Sequence, residues 1–480
     1  MPTRTSTTPS TTMSVDRDEL RSNAKYLRNV RPIDPAEICE YLSAPRHPAV
    51  VRQALREEAP SLGLIEREDG TFVPVADGRI DAPSGSVTAF PTAHARVLED
   101  RLVDVYGPDW HRGESGDALR EAIRRLKADY YHENDVTYDA TAALGYAIYH
   151  LPDYYAVGRY VAADLAHEGL LSRDCRVLDL GAGVGGPFLG LADALPADAL
   201  LDYHAVEPSP AADLLTDFFD ASPRNVHGTL HSETAEALDF GDLDAAGDFD
   251  LVTAFSVLSE LDSPADVAER YLDVLADDGT LVLVAPADRN TSTGLRAVER
   301  ELEARGVTVY APTVRLWDGE RPSDRGWSFV ERPDVEPPNV QRRLAEAAER
   351  PAEFLNASVK YSYAFLRTDG RRMHDVSLPA SRYAKLGDAE RHVSNRVDVV
   401  AAKLSNDLSD GGNPLFKISD GSEDTDCYAV LVDRTALNRD LLEADYGDLL
   451  QFESALCLWN ADEGAYNFVV DADVVVDRLG

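Results

Sequence analysis

Cysteine is scarce in this chain, lysine nearly so, and long hydrophobic runs are missing altogether. The four cysteines, Cys39, Cys175, Cys427 and Cys457, lie far apart without a CxxC pair. That spacing argues against a disulfide framework and against a zinc site built from thiolates alone. No apolar run reaches the roughly 18 residues of a membrane span, and the first 15 residues lack the apolar core of a signal peptide. The expectation is a soluble, cytoplasmic protein with no membrane partner. Basic residues are also short: 47 Lys and Arg, only six of them Lys, face 85 Asp and Glu for a net charge of −38. Such an excess normally strains a compact fold by self-repulsion and repels polyanions. In molar salt, where the Debye length is about 3 Å, exposed charges cease to feel one another. The acid-rich, lysine-poor composition resembles that of a halophilic archaeal cytosol, so the charge neither excludes nor supports a nucleic-acid partner.

What is present reads as several units, about three domains for 480 residues. Residues 1–15 are rich in Ser, Thr and Pro and read as a disordered tail. Over 16–90, two helical patterns ("DPAEICEYLS", "HPAVVRQALREEAPSLG") precede a hairpin-like "LIEREDGTFVPV". This suits a winged-helix-like module or an undistinguished helical cap. Residues 91–172 are mostly helical and end in a stretch studded with Tyr146, Tyr149, Tyr154, Tyr155 and Tyr160, which read as core residues for the most part, with ligand or RNA contact by one or two of them as the alternative. From 173 to 385 strands and helices alternate, the signature of βαβ units in a doubly wound parallel sheet, so the fold class is α/β and Rossmann-like. Residues 320–350 look like a connecting segment. The last part, 396–480, holds short β-rich runs separated by turns, which fits a five-stranded OB-like β-barrel or a small sandwich.

The most informative stretch is "VLDLGAGVGGPF" (177–188). Glycines at 181, 183 and 185 let the chain turn tightly and let a ligand approach the backbone. A dinucleotide site would read GxGxxG with an acid about 20 residues on. Here Asp179 precedes the first glycine and Glu207 ends the next strand, 28 positions after Asp179. With "FDLVTAFSVLSEL" (249–261), this resembles the motif of class I S-adenosylmethionine (SAM) dependent methyltransferases. The resemblance implies SAM as cofactor, with Asp179, Gly181, Ala182, Gly183 and Gly185 under its amino-acid part and Glu207 on the ribose hydroxyls. It also places Phe255 beside the cofactor and Asp239, in "EALDF", near the adenine amino group or else on a solvated turn. Acids suit a sulfonium and a diol better than a basic phosphate cradle would.

Further stretches, "YHLPDYYAVGRYVAADL", "VLSEL", "APADRNTSTGLRAVERELEARG", "YAPTVRLWDGERPSDRGWSF" and "KYSYAFLR", occur in the order found in one group. Over about residues 130–370 the chain resembles the ribosomal small-subunit methyltransferase-like family, whose mitochondrial members are the methyltransferase-like 17 group. That resemblance implies the small ribosomal subunit or its rRNA as partner, through methylation or through assembly. Many members carry a cysteine cluster that holds an iron–sulfur centre. Here Thr313, Arg321 and Ser328 stand where cysteines belong. Hydroxyls and a guanidinium cannot replace thiolates around a soft metal, so no metal is expected. Packing and ion pairs of the nearby Trp and Arg residues are the alternative means of holding the segment.

Methyl transfer needs mainly alignment, because the cofactor supplies the leaving group. The catalytic residues are therefore left unassigned, with Ser256 and Glu260 at the fourth strand end as candidates; Glu260 could equally cap the following helix. A DPPY or NPPY motif is absent there, as is a cysteine for a covalent route. His204 reads as a core histidine. Arg289, Arg315, Arg321, Arg325, Arg332, Arg342 and Arg343 suit either phosphate contacts or, better, an ion-paired face. Phe416, Tyr428, Phe452, Trp459, Tyr466 and Phe468 are divided between barrel core and base stacking. Besides an rRNA methyltransferase, the sequence admits a non-catalytic assembly factor that uses SAM structurally and a small-molecule methyltransferase.

Overall fold

Asp16 and Asp34 start the first two helices, each accepting backbone N–H bonds of the first turn as N-caps do. They open α1 (Arg17–Leu27) and α2 (Pro35–Tyr41), followed by α3 (Pro48–Leu62) and the antiparallel hairpin β1 (Leu64–Glu66) and β2 (Phe72–Pro74). Leu20, Ile38, Val51, Leu55 and Phe72 make a core of their own. The hairpin follows two helices as the sequence suggests, and α1 adds a third that its pattern did not announce. The computed structural model describes residues 15–479 apart from 45, 133, 135–137, 244–248 and 323–326. The expected tail, except for the buried Val15, and Arg325 therefore lie outside the described residues.

The helical region is α4 (Thr92–Tyr106), α5 (Gly113–His132) and α6 (Ala140–His167), the last capped by Asp139. Long apolar faces bury α6 on most sides. Next come β3 (Asp174–Leu180), α7 (Gly186–Ala192), β4 (Leu200–Val206), α8 (Ala211–Ala221), β5 (Val226–His231), β6 (Phe249–Phe255), α9 (Pro264–Arg270), β7 (Leu275–Pro286), α10 (Arg289–Ala304), β8 (Thr308–Ala311), β9 (Val330–Arg332), α11 (Asn339–Glu346) and β10 (Val359–Arg367). The sheet runs β5-β4-β3-β6-β7-β10-β8. Its first five strands are parallel, β10 is antiparallel to β7 and β8, and β9 pairs with β10. The strand order reverses between β3 and β6, and a doubly wound sheet opens its ligand crevice at such a point.

Helix α6 lies unusually close to α7. A Cβ on Gly190 would stand 2.5 Å from the Tyr155 carbonyl oxygen, and one on Gly186 would stand 2.7 Å from Tyr154 Cβ. The glycines after the turn are thus needed for helix packing, and that packing brings the tyrosines of α6 to the end of β3.

The C-terminal unit has α12 (Ala389–His392), β11 (Arg396–Lys403), β12 (Leu415–Ser419), β13 (Cys427–Leu431), α13 (Asp440–Glu443), β14 (Leu449–Asn460), β15 (Ala465–Val470) and β16 (Val475–Leu479). Strands β11-β12-β13-β15-β14 close on β11 into a five-stranded barrel with β13 and β15 parallel, and β16 is added on β14. The final run, expected as one strand, is split into β15 and β16 by a turn. Phe416, Phe452 and Phe468 are barrel core, whereas Tyr428 and Tyr466 are half-buried and Trp459 is exposed.

The segment after β8 joins sheet to barrel through buried charge. Glu299 lies between Arg296 and Arg315, accepting from Arg315 Nη2 at 2.6 Å, and Arg315 Nε also reaches Glu303 at 3.0 Å. Burial pushes the Glu299 carboxyl up, but the two guanidiniums outweigh it and hold it below the ordinary range. Trp317 Nε1 donates to Asp420 of the barrel at 2.7 Å. Ser328 Oγ shares a 2.9 Å hydrogen bond with Tyr446, while Thr313 Oγ1 donates to the Tyr310 carbonyl. Two of the three positions that stand for cysteines thus make polar contacts, alongside the Trp and Arg interactions of the same segment. Among the described residues no group of three or more His, Cys, Asp or Glu is placed to hold a metal, and no helix is long and apolar enough to cross a membrane.

Of the arginines read as phosphate candidates, Arg315 is buried, Arg332 faces Asp164, Arg342 Glu336 and Arg343 Glu99, so the ion-paired alternative describes these four. Glu299→Ala would leave two buried guanidiniums short of a partner and should lower unfolding stability by roughly 3–5 kcal/mol in denaturant titration. The depressed Glu299 pKa sets the sign with pH: its stabilisation is full above the unfolded carboxylate range and fades as the pH falls through it.

Candidate functional site

At the C-terminal ends of β3, β4 and β6 the structure opens a cavity of ≈ 210 Å³. Its floor is the turn after β3. Gly181 and Gly183 have φ of +66° and +54°, a left-handed conformation that a Cβ disfavours. A Cβ on Gly181 would also meet Val257 at 2.6 Å. At Gly183 the space is open, so a side chain there would enter the cavity that the residue lines. The Val206 carbonyl pins the turn by accepting from the Gly181 and Ala182 amides at 2.9 and 3.2 Å.

Glu207, at the end of β4, makes the next wall. Its Oε2 accepts from the Gly183 amide at 2.7 Å and its Oε1 from the Ser209 amide at 2.8 Å. The carboxylate thereby ties the glycine turn to the loop after β4. The following wall is Thr234, Ala235 and Glu236, beyond β5.

Phe255, Ser256 and Glu260 line the side below β6. Ser256 has φ +58°, rare for a non-glycine residue and frequent at functional sites. Its Oγ is shielded from water beside the Tyr154 hydroxyl, without a hydrogen bond of good geometry. Glu260 stands at the rim and accepts from the Tyr130 hydroxyl at 3.2 Å; Tyr130 in turn contacts the Tyr138 hydroxyl. Partial desolvation in the cleft, with the charge of Glu207 nearby, pushes the Glu260 carboxyl up, against the lowering effect of the Tyr130 and Tyr138 hydroxyls. Tyr138 meets Tyr146 edge-on at 5.8 Å, and Tyr146 stacks on Tyr154 at 6.2 Å. Burial pushes the Tyr154 hydroxyl up to about 12, so these phenols are neutral donors.

Six of the sequence candidates meet here: Gly181, Gly183, Glu207, Phe255, Ser256 and Glu260. The other four are not among the lining residues. Asp179 is buried beneath the turn, accepting from Tyr203 Oη and Thr253 Oγ1, both at 2.5 Å, so it fastens β3 to β4 and β6 instead of facing a ligand. Ala182 and Gly185 turn inward; a Cβ on Gly185 would strike Leu215 at 2.7 Å. Asp239 caps its own turn by accepting from the Gly241 amide at 2.9 Å, and Glu236 lines the cavity in its stead. His204 lies in β4 against His231 and Phe249, a packed histidine. Sequence reading missed Tyr130, Tyr138 and Glu236; the only signal was tyrosine density before the glycine turn.

A methyltransferase domain profile matches residues 153–334. The N- and C-terminal profiles of a domain of unknown function, DUF8157, match 17–68 and 387–479. No curated protein matches. Similar solved structures include a SAM-dependent methyltransferase from Aquifex aeolicus (13% identity, 36% of this chain and 90% of that one, TM-score 0.28). The CurJ carbon methyltransferase (15%, 73% and 91%, 0.31) and Aeropyrum pernix fibrillarin with natively bound SAM (15%, 40% and 66%, 0.23) are also similar.

Burial raises the Asp179 carboxyl to about 6, against the lowering effect of its two hydroxyl donors. Because the folded value lies above the unfolded one, this group adds stability as the pH is lowered from about 6 toward 4 and withdraws it on the way up. Asp179→Asn should flatten that part of the curve of denaturant midpoint against pH, and an unchanged slope would place the titration elsewhere. The middle of the chain is a Rossmann-like methyltransferase domain, set between an N-terminal helical unit and a closed β-barrel.

Proposed function

We propose that this protein is a SAM-dependent methyltransferase that binds the cofactor in the cleft between the glycine turn and Glu207. The observation that carries this reading is the cleft's chemistry. Three glutamates, Glu207, Glu236 and Glu260, line it, and Lys, Arg and His are absent from its described lining. That set suits a sulfonium cation and a ribose diol, and it is unsuited to a pyrophosphate. Gly183 would leave room for the amino-acid part, Glu207 would take the ribose hydroxyls, and Thr234 to Glu236 would flank the adenine. When bound, SAM supplies an activated methyl group. The residues around it then have to align an acceptor and exclude water.

For the acceptor we propose the small ribosomal subunit or its rRNA, following the order of motifs from 130 to 370. The barrel supports this reading. Its strand order, with β13 beside β15 and β14 closing on β11, is that of an OB-type fold, and the exposed Trp459 lies against Tyr466 with ring centroids 4.8 Å apart and planes tilted by 58°.

Calorimetric titration of SAM into the protein in molar KCl should give micromolar binding. Gly183→Asp, which adds a side chain and a fourth carboxylate to the cavity, should abolish it. Absence of binding to folded wild type would end the enzyme reading. With binding in hand, labelled methyl transfer to purified small-subunit rRNA or particles tests the acceptor, and binding without transfer would leave an assembly factor that uses SAM as a structural ligand.

A further inference from the structure

The cleft has two halves with different chemistry. On the β4 and β5 side, Glu207 already accepts from two backbone amides, so its oxygens are oriented by the chain. On the β6 side, Glu260 has one tyrosine donor at 3.2 Å and remains open to solvent. Around it stand Tyr130, Tyr138 and Tyr146, from α5, the segment before α6 and α6 itself, with the Tyr130 hydroxyl on Glu260 and the Tyr138 hydroxyl against that of Tyr130. Phenol oxygens and a carboxylate accept hydrogen bonds from an ammonium, and nearby aromatic rings attract a cation. Ser256 Oγ, shielded and without a well-formed hydrogen bond, offers one further polar contact in the same half.

Resting on the SAM-binding reading above, and favouring a protein amino group of the small subunit over its RNA, we propose that this tyrosine-walled half, with Glu260 at its rim, is the acceptor subsite and that it recognises an amine. A phosphate or carboxylate would be desolvated here against three glutamates, with no cation among the described lining residues to receive it. An ammonium meets the opposite situation: the Glu260 carboxylate, the Tyr130 and Tyr138 phenol oxygens and the Ser256 hydroxyl can accept from it. One proton leaves the bound ammonium for the Glu260 carboxylate, and the freed nitrogen lone pair forms an N–C bond as the S–C bond of the sulfonium breaks, leaving the electron pair on sulfur and the methylated nitrogen as an ammonium. The partial desolvation and the Glu207 charge that lift the Glu260 pKa make that carboxylate a better proton acceptor and give it more to gain from a nearby cation.

The test compares two ligands that share a phenol ring and differ in charge, tyramine and 4-hydroxyphenylacetate. Each is titrated into the full chain saturated with S-adenosylhomocysteine. A third titration with Nα-acetyl-lysine methylamide separates a peptide-borne amine from a free one, according to which amine binds more tightly. Wild type should bind amine over carboxylate by at least about tenfold, the scale of one well-placed charge contact. Glu260→Gln, which keeps size and hydrogen bonding, should bring the two ligands close to parity while still binding S-adenosylhomocysteine. Tyr138→Phe should keep most of the preference, because the Glu260 charge that sets it remains. Equal binding of both charges by wild type, or a preference that survives Glu260→Gln, would overturn the proposal. Failure of S-adenosylhomocysteine itself to bind would instead overturn the cofactor reading, so the two failures are told apart.

Discussion

The candidate site depends on how closely α6 can lie against α7. Gly186 and Gly190 give α7 a face without side chains, and Gly158 does the same for α6, where a Cβ would stand 2.8 Å from Pro187 Cα. Any bulkier residue at these points would lift α6 from the sheet and carry Tyr146 and Tyr154 away from the end of β3. The tyrosine wall therefore follows from backbone contact, and the contact follows from glycines that continue straight on from the turn after β3. One short stretch of sequence thus serves two needs: left-handed turns at 181 and 183, and helix approach at 186 and 190.

This double duty explains what could be read beforehand. The alternation of strands and helices, the turn after β3 and Glu207 at the end of β4 were legible because they follow one another closely and because each obeys a short-range rule. The barrel was legible from its rhythm of short apolar runs, although the last run concealed a turn. Tyr130 and Tyr138 were not legible as wall residues, since only the folding of α5 and α6 over the sheet brings them to Glu260. Asp179 shows the opposite error. It sits where a ligand-facing acid would, yet Tyr203 and Thr253 claim both of its oxygens from neighbouring strands. Asp239 differs from Glu236 by three residues in a loop without periodicity, and no pattern could choose between them.

The acid excess acquires a partial physical meaning in the fold. Asp16, Asp34, Asp139 and Asp288 begin helices, where a negative charge meets the positive end of the dipole. Glu299 and Glu303 neutralise a buried arginine. In the cleft, three further glutamates set the sign of what can enter. Most of the remainder lies on the surface, where the screening argument from composition applies.

The link between sheet and barrel has one further consequence. Trp317 and Leu316 bond to Asp420, Gly421 backs onto the Val314 carbonyl so closely that a Cβ would overlap it, and Tyr446 reaches Ser328 and Arg296. Sheet and barrel therefore share one set of buried polar partners: if either unfolded, the other would keep Trp317, Arg296 or Asp420 without the group that satisfies it, and this ties the melting of the two units together.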